Sequence, residues 1–173
     1  AGANGTNGTD GADGVAVLYN EFPAQATTTN STWETLETYT VPAAQLDSNG
    51  SDLEILATFT TSSWTSAAQN TRITFNGSTI ISPSIYAGFY ARPITKIVIS
   101  ARITRTSNTT AKTQVSVEFV TSGYDVVKKL TQPILGLAGL NFTTTTYDID
   151  ADAYSAVNGD ITLENLEIIY YKK

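Results

Sequence analysis

Three aspartates at alternate positions, Asp148, Asp150 and Asp152, are followed closely by Asn158 and Asp160. Clustered carboxylate and amide oxygens are what a hard cation such as Ca²⁺ binds, so this stretch is the candidate metal site of the chain. Alternate residues on a strand share a face without converging, and the fixed glycine of a calcium-binding loop is missing. A solvated strand edge and turn is therefore the plainer reading. The same cluster is the one conceivable acid/base site, and no pair of its carboxylates stands in a glycosidase context. The chain contains no His and no Cys. Those absences remove the commonest general base, thiolate nucleophiles, thiolate metal sites and disulfides. No glycine-rich loop leads from a strand into a helix, so nucleotide phosphates have no cradle. The chain is expected not to be an enzyme, and to need no cofactor unless Ca²⁺ is one.

A second group of residues suits recognition rather than reaction. Trp64 sits in Ser62-Ser63-Trp64-Thr65-Ser66, and Tyr86, Phe89 and Tyr90 fall in the next long connection. Aromatics amid Ser, Thr and Asn suit stacking on a sugar or a protein hot spot, which makes these four the candidate receptor-binding residues. They would equally serve to cover one end of a sandwich or to pack between subunits. The several Asn-X-Ser/Thr triplets match a glycan-acceptor pattern, but a chain this rich in Asn and Thr produces them by chance.

The background in which these residues sit is mildly acidic. A net charge of −6 disfavours a nucleic-acid role, because phosphate binding needs a basic face. With 41% hydrophobic and 15% charged residues, 173 residues suffice for one domain with a real core. No run approaches the roughly 18 apolar residues of a membrane helix, so membrane insertion is not expected.

The first residues are a different material. Residues 2–16 read GAN-GTN-GTD-GAD-GVA, with Gly2, Gly5, Gly8, Gly11 and Gly14 in strict register. Glycine at every third position is the requirement of a collagen triple helix, in which only Gly fits at the axis. Such a segment works only as three parallel chains, so these glycines are the candidate trimerisation residues and a homotrimer is expected. The repeat lacks Pro and is too short to hold three chains alone; further triplets upstream, or the head itself, would have to help. The chain divides into residues 1–16, the end of a collagen-like stalk, and residues 17–173, a head.

The head is a train of strands. Period-2 alternation and β-branched residues place strands at 15–22, 33–41, 53–59, 72–75, 78–81, 94–106, 113–121, 124–130, 142–149 and 161–171. Asn76-Gly77 is the strongest hairpin signal. In the last strand Ile161 and Leu163 share one parity while Leu166, Ile168 and Tyr170 have the other, which predicts a β-bulge at Glu164-Asn165. Nine or ten strands separated by turn signals indicate an all-β antiparallel sandwich or jelly roll. The aromatics Tyr19, Phe22, Tyr170 and Tyr171 are candidates for the subunit seams.

The stretch from Trp33 to Leu46 followed by Asn49-Gly50 resembles the opening of head domains in tailed-phage fibres. The stretches Leu53 to Thr60, Arg72 to Gly77, Ile97 to Thr106 and Asn158 to Tyr171 continue that resemblance, which covers most of residues 31–171. It is a rhythm of strands and turns, not a catalytic signature. It implies a trimeric, tumour-necrosis-factor-like jelly roll on a stalk, anchored upstream to a virion and displayed at its surface, where it contacts a host glycan or protein. A capsid-decoration knob without receptor role and a bacterial surface or exosporium adhesin share this architecture and stay open as alternatives.

Overall fold

The computed structural model describes residues 14–29, 31–61, 69–82, 84–85, 94–121 and 126–173. Alternation decides which way each strand faces. Leu53, Ile55, Ala57 and Phe59 in β4 (Asp52–Thr61) are fully buried, as are Ile97, Ile99, Ala101 and Ile103 in β8 (Ile94–Arg105). Val115, Val117 and Phe119 of β9 (Ala111–Thr121) continue the same inward layer. Each fully buried Leu, Ile or Phe contributes roughly 1.5–3 kcal/mol, so this layer is the main source of stability.

One antiparallel sheet has the order β1-β12-β4-β8-β9-β10. It adds β1 (Val15–Glu21), β10 (Val126–Leu137) and β12 (Ile161–Tyr171), with the short β2 (Gln25–Ala26) alongside β12. The other sheet has the order β3-β11-β5-β6. It comprises β3 (Thr32–Val41), β11 (Tyr147–Ser155), β5 (Gln69–Phe75) and β6 (Ser78–Ile81), with β7 (Ser84–Ile85) alongside β5. Its inward residues, among them Ile73, Phe75, Ile149 and Ala151, close the core from the opposite side. No helix occurs among the described residues. The molecule is an all-β sandwich of two antiparallel sheets.

The predicted hairpin forms. Asn76 and Gly77 both adopt positive φ, 50° and 71°, which is the conformation a two-residue turn needs to match strand twist. The predicted bulge forms too: Leu163 pairs with Phe59 but Asn165 pairs with Thr58, leaving Glu164 as the extra residue. That slip carries Leu166, Ile168 and Tyr170 inward with Leu163.

Two strand boundaries differ from expectation. The sequence places a strand at 142–149, but the chain becomes a strand only at Tyr147. Asn141 accounts for the difference. Its side-chain oxygen accepts from the Thr143 amide and hydroxyl, and its carbonyl accepts from the Thr145 amide, so the Thr run is held in a turn. Conversely, β10 runs on to Leu137, well past the expected end at Leu130. At the other end of the chain, Val15 and Ala16 already pair with Tyr171 and Tyr170, so the sheet begins inside the segment expected to be stalk.

The strand ends define two poles. Gly14 lies beside Lys172, whose amide donates to the Gly14 carbonyl at 2.7 Å. The same pole holds the loops around Arg105, which is buried, donates to the Leu46 and Ser107 carbonyls and lies over the Phe142 ring. The opposite pole holds the ends of β4 and β11 and the starts of β3, β5, β8 and β12.

Candidate functional site

The outward face of the β3-β11-β5-β6 sheet carries a surface that the alternation of β3 conceals. Trp33 shares odd parity with Tyr39 and Val41, which face inward opposite Ile149 and Tyr147. On an unbroken strand Trp33 would join them. Instead Ala151 pairs with Glu37 and Asp152 pairs with Thr35, so Leu36 is an extra residue, buried at 4% exposure. This bulge exchanges the faces of everything N-terminal to it. Trp33 is thereby turned out to solvent, where it remains 38% exposed.

On that face Trp33 stands opposite Tyr154, with ring centroids 5.8 Å apart and planes tilted by 50°. The indole also reaches across β11 to β5, where the Arg72 guanidinium lies 4.3 Å from its ring centre. Arg72 Nε in turn donates to Asp152 Oδ2 at 2.6 Å. The second oxygen, Asp152 Oδ1, is buried without a hydrogen-bond partner, and Asp152 as a whole is only 2% exposed. Trp33, Tyr154, Arg72 and Asp152 thus form one interlocked group, two rings beside an ion pair, at the pole opposite Gly14.

Glu34 fixes the approach to this group. Its carboxylate accepts from the Thr28 amide at 2.8 Å and hydroxyl at 3.0 Å, and from the amide and hydroxyl of Thr29. Burial alone would raise the carboxyl, but these bonds outweigh it and lower it from 4.5 to about 2. A depressed carboxyl stabilises the fold above its unfolded value and loses that contribution as pH falls. The Tm gap between the native protein and Glu34→Gln is therefore expected to be full at pH 5 and to close as pH falls from 4.5 towards 2. Thermal melts across that range check it; the gap should be small, because the carboxylate is near solvent.

The aspartates at 148, 150 and 152 do lie on this face, as alternation requires, but each has its own neighbours. Thr40 donates to Asp148 at 2.7 Å, and Thr38 and Thr74 donate to the two oxygens of Asp150 at 2.8 and 3.0 Å. A two-residue step on a strand spans about 6.6 Å, so Asp148 and Asp152, two such steps apart, stand about 13 Å from each other, too far to share an ion with ligands at about 2.5 Å. Asp160 is buried elsewhere, accepting from Gln69 at 2.8 Å. Among the described residues no three acidic groups come together as a metal site.

Trp64, Tyr86, Phe89 and Tyr90 lie outside the described residues, as do Gly2, Gly5, Gly8 and Gly11. The chain leaves β4 at Thr61 and enters β5 at Gln69, both at the pole that carries Trp33. Of the aromatics expected at subunit seams, Tyr170 and Tyr19 are engaged within the chain. Tyr170 is 7% exposed and donates to Asp47, and Tyr19 packs against Tyr39 at 5.1 Å. Phe22 is 73% exposed, while Tyr171 donates to Glu54 at 2.7 Å. Within the strand expected from Val15 to Phe22, Val15 and Val17 are 64% and 58% exposed on β1, beside Tyr171 and Ile169 of β12.

No protein-family model matches this chain, and no curated protein matches it in sequence. Among solved structures it is similar to the CBM2 module of the evolved Dit of Lactobacillus casei BL23 phage J-1. That likeness has a TM-score of 0.40 and 9% identity, covering 86% of this chain and 76% of the other. It is also similar to part of dimeric latent PorU from Porphyromonas gingivalis, with a TM-score of 0.39 and 13% identity over 93% of this chain and 13% of the other. A fructofuranosidase from Schwanniomyces occidentalis complexed with fructosylnystose gives a TM-score of 0.38 and 10% identity, over 92% of this chain and 34% of that one. These likenesses are too slight to carry a functional argument. The class of the protein, a two-sheet antiparallel sandwich, rests on its own strand pairing.

Proposed function

We propose that this chain is a non-enzymatic structural and adhesive component of a virion fibre or spike, a trimeric head set on a collagen-like stalk. The observation that carries this reading is the junction at Gly14. A strict Gly-X-Y register runs up to it, and the next strand begins at once with Val15 and Val17 exposed. Three chains gathered by the repeat would bring three copies of that aliphatic edge together and remove it from water. The order β1-β12-β4-β8 over β3-β11-β5-β6 supports a jelly roll, with the β9–β10 hairpin added at one edge. Stalk and exposed aromatics then sit at opposite poles, which suits a head whose far end meets a surface. Weak sites in three copies would act together by avidity on a repetitive host surface.

Light scattering on the protein with and without residues 1–14 tests this. A mass three times that of the single chain in both cases, the full chain being 18.5 kDa, is the expected result and would place assembly in the head. In the shortened protein, Val15→Asp with Val17→Asp should then give monomers. A monomer at all concentrations in both forms would overturn the trimeric reading.

A further inference from the structure

We infer that the Trp33–Tyr154–Arg72 group is a binding site for a neutral glycan, with the carbon–hydrogen face of a hexopyranose ring stacked on the exposed indole. Burying a Trp in the core is among the most stabilising things a chain does with it, and the parity of β3 would have allowed it here. The Leu36 bulge instead leaves the largest side chain of the strand in water. Packing leaves the indole little freedom: Arg72 lies over it at 4.3 Å, Tyr154 flanks it at 5.8 Å, and Asp152 holds the guanidinium at 2.6 Å. A ring fixed in this way loses little freedom when a ligand arrives.

The rim supplies what sugar hydroxyls need. Thr35 stands on the same face opposite Asp152, Asn70 opposite Tyr154, and Arg72 remains 30% exposed with further N–H groups beyond the one given to Asp152. Two rings with a few hydrogen-bonding groups fit a small amphipathic ligand. Among the described residues the surrounding face does not continue as an apolar patch: its neighbours are Thr38, Thr40, Thr74 and Thr79, which argues against a protein partner. Asp148 and Asp150 lie along the same strand, and the chain carries −6 overall, so an anionic sugar or polyanion would be repelled.

This inference rests on the adhesive reading for its setting but is tested apart from it. The chain has two tryptophans, so Trp64→Phe leaves Trp33 as the sole indole reporter. Fluorescence titration of that protein with the methyl glycosides of glucose, galactose and mannose, lactose, and sialyllactose is the experiment. Saturable quenching by at least one neutral sugar in the millimolar range is expected, with sialyllactose no better than lactose. By calorimetry with the same sugar, Trp33→Ala should weaken binding at least tenfold, Tyr154→Ala several-fold, and Trp33→Phe less than Trp33→Ala. Melting curves verify that each variant is folded; if Trp33→Ala is not, Tyr154→Ala and Trp33→Phe carry the comparison. Absence of binding across the panel, affinity unchanged in the folded variants, or a preference for sialyllactose would each overturn the inference. Adhesion of the whole protein to host cells unaffected by Trp33→Ala would leave the adhesive reading standing and remove this site from it.

Discussion

Arg72→Leu is expected to lower stability at neutral pH by about 3 kcal/mol, measured as a fall in the denaturant midpoint with unchanged slope. Breaking a buried ion pair by removing one partner costs about 3–5 kcal/mol, because the remaining charge is left without compensation. Asp152 is that remaining charge, with its side chain 3% exposed and one oxygen already unpartnered. The lower end of the range applies because Arg72 is 30% exposed and water can partly replace it. Adding Asp152→Asn should recover most of the loss, whereas Asp152→Asn in the native background should recover nothing. A deficit that ignores Asp152→Asn would mean that Arg72 acts through its contact with Trp33 and not through charge.

Phe59→Ala should cost about 3–5 kcal/mol, the usual range for deleting a buried aromatic side chain and leaving a cavity. Phe59 is fully buried in the middle of its sheet, between Leu163 on β12 and Ile97 on β8. Rigid β partners on both sides limit how far the site can collapse. Leu56, three residues away on the outward face and half-buried, provides the internal comparison. Leu56→Ala should cost well under half as much. Equal losses at the two positions would mean that the outward face is also covered, for instance by a neighbouring subunit.

The parts of the fold that alternation governs were legible in the sequence. The β4, β8 and β9 strands face as their apolar parity requires, Asn76-Gly77 turns, and the parity break between Leu163 and Leu166 becomes a bulge at Glu164. The same logic applied to β3 would have found the Trp33 surface. Leu36 is an apolar residue out of step with Tyr39 and Val41, and that is the mark of the second bulge. The signal was weaker there because Thr and Glu fill the intervening positions and fit either face. Composition misleads in the Thr143–Thr146 run for a different reason. Its β-branched residues favour a strand only when nothing nearer claims their amides, and Asn141 does. The aspartates were placed on the right face, but distance along a strand keeps them apart.

The hydrogen bond from Lys172 to Gly14 puts the last residues of β12 beside the point where β1 begins. β1 then runs from that pole along the sheet, paired with β12 from Val15 to Glu21 on either side of a register shift at Leu18. Ladder hydrogen bonds lie across the strand direction. In the proposed fibre, a tug on the stalk at Gly14, resisted by a surface held at the far pole, would thus be directed along β1 and would load its rungs together instead of opening them one by one. Pulled from Gly14, the sandwich would resist in shear through its leading strand.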